Sequence, residues 1–178
     1  MNLNKTLLAT IIAFGSVSMA HANEGSGKIT FVGSIIDAPC SIAAGSDTQT
    51  IELGEISKAV LETQEGKGQS KPKNFNVTLE NCSFGEDGAK NKVSVTFSGP
   101  KSSSQLLGIT GSAKGASVAI TDGSGKLIEL DKATDGQVLQ EGTSNTLSFA
   151  AYVKGDGAAD GITEGDFQAV ADFTLAYN

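Results

Sequence analysis

The last twelve residues, Phe167 to Asn178, alternate apolar and polar positions almost without interruption. Successive side chains of a strand point to opposite sides, so Phe167, Ala169, Ala171, Phe173, Leu175 and Tyr177 share one face. Short alternating runs recur at 28–36, 50–53, 74–82, 91–99, 116–122, 126–130 and 145–153, separated by clusters of Gly, Ser, Asn and Asp. No segment sustains the period of an amphipathic helix. Strands at this spacing with glycine-rich turns predict an all-β sandwich, and DGSGK at 122–126 predicts a hairpin loop. Residues 54–73 break the rhythm. Charged and glycine-studded, they predict a long surface connection with a short helical turn around Ala59 to Glu62.

The run at 28–36 places Ile29, Phe31, Gly33 and Ile35 on one face. Chain ends usually fray, yet the strand patterns at both ends are clean. An unpaired apolar strand exposes a row of backbone donors and acceptors and invites aggregation. Two arrangements satisfy them. The two ends pair within one molecule, or one end of each molecule completes the sheet of the next, a recognised mode of strand addition.

Residues 1–22 have the layout of a secretory signal peptide, with Lys5, an apolar run from Leu7 to Phe14, and small residues at Ala20 and Ala22. The apolar run is too short to span a bilayer. Cleavage after Ala22 would leave Asn23–Asn178, 156 residues and the length of one domain. It would also remove His21, the only histidine. Twelve lysines against twenty acidic groups then leave a charge of about −8, the wrong sign for nucleic acid or an anionic membrane surface. The two cysteines, Cys40 and Cys82, predict one disulfide in an exported chain. Without CxxC spacing or a histidine they do not predict a metal or redox site.

Candidate chemistry is sparse. A hydrolytic triad needs a base, normally histidine, to take the nucleophile's proton. Ser70 and Lys71 stand in a polar segment that would not depress a lysine pKa. The carboxylates Asp156, Asp160, Glu164 and Asp166 fit no EF-hand spacing. GSGK at 123–126 lacks the phosphate-loop pattern, with Ile120 where the first glycine belongs and Leu127 where Ser or Thr belongs. The expectation is a protein that is not an enzyme and carries no cofactor or metal.

At its two ends the sequence resembles the structural subunits of bacterial chaperone–usher pili, of the type 1 fimbrial shaft class, and the resemblance covers essentially the whole chain. It rests on penultimate Tyr177, the alternating terminal face, Gly165 as the fourteenth residue from the end, and ITFVGSII followed by APCSI (38–42). FNVTLENC ending at Cys82 and VAITDGSGKLIEL (118–130) are also similar to the family. The resemblance implies an immunoglobulin-like sandwich lacking its last strand and completed by donor-strand exchange. Residues 23–36 would be the donor extension, with Ile29, Phe31, Gly33 and Ile35 its inserting face, and 37–178 the pilin domain. Gly165 and the face from Phe167 to Tyr177 would form the acceptor groove and the chaperone contact. Implied partners are other pilin subunits, a periplasmic chaperone and an outer-membrane usher, and the implied location is the fimbria on the cell surface. A minor adaptor, a terminator or a sugar-binding adhesin are the alternatives. The adhesin is disfavoured, because only Asn23 to Lys28 precede the donor motif and the chain has no tryptophan to stack on a sugar.

Overall fold

The computed structural model describes residues 27–85, 90–157 and 161–178, so the expected signal peptide and Asp160 lie outside the described residues. In chain order the elements are β1 (Ser41–Ile42), α1 (Lys58–Leu61), α2 (Thr63–Gly66), β2 (Lys73–Glu80), β3 (Lys92–Ser98) and β4 (Leu107–Gly108). β5 (Thr110–Gly111), β6 (Ala116–Asp122), β7 (Gln137–Val138), β8 (Asn145–Gly155), β9 (Phe167–Gln168) and β10 (Asp172–Tyr177) follow. Five strands form one sheet in the order β1-β2-β8-β6-β4, three form another in the order β10-β3-β7, and β5 pairs with β9. Every pairing is antiparallel.

The alternation seen in the sequence sets the inward face of β2 and β3, whereas β6 is buried on both faces. Val77 and Leu79 of β2, Leu147 and Phe149 of β8, and Val118 and Ile120 of β6 share one core with Val93, Val95 and Phe97 of β3. Each such side chain stabilises the fold by about 1.5–3 kcal/mol on burial. Phe97 ties the two sheets together. Its ring meets Phe149 edge-on at 5.1 Å and Phe75 at 6.3 Å, geometries that the aromatic quadrupole favours. A disulfide joins Cys40 and Cys82, both buried, and so holds the start of β1 to the end of β2.

Three of the runs expected as strands form no named strand. Residues 28–36 form no strand, and Ile29, Phe31, Val32 and Ile35 are exposed. They fall almost wholly in the first of two compact units, Met1–Ile35 and Ile36–Asn178. Residues 50–53 alternate in burial but enter no ladder, because Leu53 packs on the core without a strand beside it. Residues 126–130 supply only a bridge from Leu127 to Thr121 and a bond from Ile128 N–H to the Ile120 carbonyl (2.9 Å). The hairpin loop itself forms as expected. Asp122 Oδ1 accepts from the N–H of Ser124 and of Lys126, both at 2.9 Å, and from Ser124 Oγ.

The connection at 54–73 is a mostly exposed surface segment with the expected helical turn, α1, and a few contacts anchor it to the fold. Leu61 is buried, Ser70 N–H bonds to the Val153 carbonyl at 2.8 Å, and Gly155 N–H bonds to the Gly68 carbonyl at 2.9 Å. Glycine is required where these backbones touch. A Cβ on Gly155 would overlap the Gly66 carbonyl oxygen and stand 2.8 Å from that of Leu61.

Candidate functional site: an open sheet edge

The terminal segment forms one edge of the smaller sheet. β10 runs antiparallel to β3, with Phe173 opposite Phe97, Leu175 opposite Val95 and Tyr177 opposite Val93. Just beyond, Asn178 and Lys92 exchange both backbone hydrogen bonds, at 2.9 and 3.1 Å. Bonded and non-bonded pairs alternate in an antiparallel ladder. Residues 172, 174 and 176 therefore bond to β3, and 173, 175 and 177 do not. The far side of β3 agrees with this assignment. Val95 N–H donates to Thr134 Oγ1 at 2.9 Å, and the Val95 and Phe97 carbonyls accept from the N–H of Thr134 (2.9 Å) and Asp131 (2.8 Å).

The amides and carbonyls of Phe173, Leu175 and Tyr177 thus point away from β3, along an edge where no strand pairs with β10 among the described residues. The side chains of the same three residues face inward. Burial along 167–178 alternates without a break. Phe167, Ala169, Ala171, Phe173, Leu175 and Tyr177 are all partly buried, and their neighbours are exposed. All six pack against the core, yet none is fully covered. Across the ladder Val93, Val95 and Phe97 are only 1–3% exposed. Phe173 extends the ring cluster outward, 6.3 Å from Phe97. Desolvation raises the pKa of the Tyr177 hydroxyl above its ordinary value.

The terminal segment is not one continuous strand, as its pattern predicts. It changes partner between β9, which pairs with β5, and β10, which pairs with β3. Two glycines allow the change. A Cβ on Gly99 would stand 2.8 Å from the Val170 carbonyl oxygen and 2.6 Å from Leu107 Cδ1. Gly165, at φ +150°, backs onto Ser112 and Ala113, and a Cβ there would overlap Ser112 Oγ and stand 2.8 Å from the Ala113 N. That contact is fixed by the N–H groups of Ser112 and Ala113 donating to the Asp166 carbonyl, at 3.0 and 3.1 Å. Gly165 therefore aims the wall that follows it. Gly99 has no sequence signal, because close backbone approach is a property of the folded chain.

The residues expected to insert lie on a segment outside any named strand: Ile29 is 79%, Phe31 90% and Ile35 104% exposed. Nothing described lies within 4 Å of where a Cβ would stand on Gly33, and its φ is not in the left-handed region. The residues considered for chemistry have structural roles instead. Ser70 Oγ accepts from Val153 N–H at 3.0 Å, and Asp156 Oδ1 accepts from Ser104 Oγ and Ser117 Oγ. Among the described residues no three potential metal ligands cluster.

Comparison with known proteins points the same way. A family model described as fimbrial protein matches residues 29–178. The chain is 51% identical over 180 residues to the fimbria A protein of Serratia marcescens, spanning 99% of each chain. Among solved structures it is similar to one reported as a chaperone–usher pilus whose structure reveals the basis of rod uncoiling. There the TM-score is 0.74 at 36% identity, covering 87% of this chain and 97% of the other. The P pilus rod subunit PapA superposes with a TM-score of 0.68 at 36% identity, covering 79% and 100%.

Proposed function

The chain belongs to the fimbrial protein family and is a structural subunit of a chaperone–usher fimbria, and from that premise we propose that it polymerises by donating its N-terminal strand to the open edge of a neighbouring subunit. Residues 1–22 direct export and are removed, 23–36 form the donor extension, and 37–178 form the immunoglobulin-like pilin domain. Ile29, Phe31, Gly33 and Ile35 enter the groove of the next copy. The wall from Phe167 to Tyr177 receives them, with Gly165 holding its upper end. Before assembly a periplasmic chaperone covers the same edge, and an outer-membrane usher is where the neighbour's strand replaces it. The finished subunit sits in the fimbria on the cell surface and acts as a building block, without catalysis.

The observation that carries this reading is the coincidence at one edge of amides at Phe173, Leu175 and Tyr177 that no strand among the described residues pairs with and an apolar face that stays partly uncovered. An incoming strand supplies both missing halves, the backbone ladder and the side chains. Deleting 23–36 should leave a chain that still takes a neighbour's strand and is found only at fibre ends. Fibres of normal length assembled from the deleted chain alone would overturn the proposal.

A further inference from the structure

Resting on the donor-strand reading above, we infer that Ser46 and Gln49 close a second long sheet edge, that of β2, against strand addition, and so determine that a subunit accepts its neighbour at β10. β2 is eight residues long. β8 pairs with it from Lys73 to Leu79, but on its other side β1 covers only Leu79 and Glu80. Bonded positions alternate along a strand, and Thr78 accepts from Ala43 N–H on the β1 side. The backbone groups of Asn74, Asn76 and Thr78 therefore line that edge. A strand left open over such a length is a template for pairing. A donor added there would branch or divert a fibre that grows through one acceptor per subunit.

The chain covers this edge with side chains in place of a strand. A continued ladder would have Ala43 and Thr78 exchange both hydrogen bonds. One of them forms, from Ala43 N–H to the Thr78 carbonyl at 2.9 Å, but the Ala43 carbonyl instead accepts from Ser46 N–H, also at 2.9 Å. The chain turns away from the edge at that point, and buried Ser46 takes over the Thr78 N–H with its Oγ at 3.2 Å. Farther along, Gln49 Nε2 donates to the Asn76 carbonyl at 2.8 Å and to the Ser46 carbonyl at 3.1 Å. One amide thus occupies the edge and ties the turn to it. The start of the strand is guarded by composition. Pro72 has no N–H to offer, and exposed Lys71 and Lys73 flank it, both of them devices that discourage edge pairing. The β10 edge is the opposite case. Residues 167–178 contain neither Lys nor Pro, and the Ser94 Oγ bond to the Ala176 carbonyl falls on the β3 side.

The test uses fibres of the full-length chain sheared from the cell surface. Their β10 edges are filled by neighbours, so a synthetic peptide of residues 27–37 added in solution reads any other edge. Wild-type fibres should take up peptide only at their ends. Gln49→Ala, at an exposed position, should raise uptake along the fibre, and Ser46→Ala combined with it should raise uptake about tenfold or more, the effect of two backbone groups freed to bond. Hydrogen exchange read by mass spectrometry locates the peptide, and the new protection should fall on 74–78. Gln49→Ala by itself decides the question if the double variant makes no fibre. Unchanged uptake in the variants, or wild-type fibres that already bind peptide at 74–78, overturns the inference and leaves strand donation intact. Uptake all along wild-type fibres with protection at 173–177 would show instead that the β10 edges stand vacant in the fibre, and the donor reading itself would fall.

Discussion

Moving residues 27–37 behind Asn178 through a short flexible linker, with 23–36 deleted, should turn the subunit into a self-contained monomer. The linker makes a hairpin with β10, so the graft reaches the edge at an effective concentration in the millimolar range. Ile29, Phe31 and Ile35 start almost fully exposed, and burying them contributes about 5–9 kcal/mol. Covering the exposed parts of Phe173, Leu175 and Tyr177 adds about 1 kcal/mol each. Pairing the amides and carbonyls of Phe173, Leu175 and Tyr177 adds about 1 kcal/mol per bond. Ordering the seven residues 29–35 that meet the edge costs about 1–2 kcal/mol each, or about 7–14 kcal/mol in all. The net is on the order of 5 kcal/mol, which for a domain of this size is a rise in Tm of about 10–20 °C. Differential scanning calorimetry of the deleted chain with and without the graft measures it, and sedimentation velocity reports whether the graft stays monomeric. Equal unfolding temperatures would refute the reasoning, because the edge would then have nothing to gain from an added strand.

Cys40→Ser or Cys82→Ser should lower the yield of folded subunit, since a bridge across 42 positions contributes about 4 kcal/mol by the chain-entropy argument. Alkylation of two free thiols in native fibres would contradict it. Gly165→Ala should destabilise the domain by about 1–3 kcal/mol, because a methyl at that φ overlaps Ser112, and Gly161→Ala, with open space around it, should cost less. Urea midpoints compare the two. The folded Tyr177 hydroxyl titrates above its unfolded value. Its contribution to stability is therefore present below about pH 10 and lost as pH rises through the folded value, and Tyr177→Phe should flatten that alkaline decline in a pH series of Tm.

Periodicity alone determined which residues face inward. The inner face from Phe167 to Tyr177 was legible because a strand has a period of two wherever it lies, and the runs that became β2, β3, β6 and β8 were visible for the same reason. The hairpin at Asp122 was legible because its bonds are local, and the disulfide because only two cysteines exist to pair. What the tertiary structure decided is partnership. Nothing local distinguishes Thr110–Gly111 or Gln137–Val138 as strands, since two residues become a strand only when a neighbour supplies the other half of the ladder. The break between β9 and β10 was hidden for the same reason. The alternation runs straight through it, and the change of partner is set by Gly99 and Gly165 touching segments far away in the chain. Residues 28–36 show the converse, a strand pattern with no ladder, because a hydrogen-bonding partner is a property of the assembled neighbours and cannot be written into the segment that awaits it.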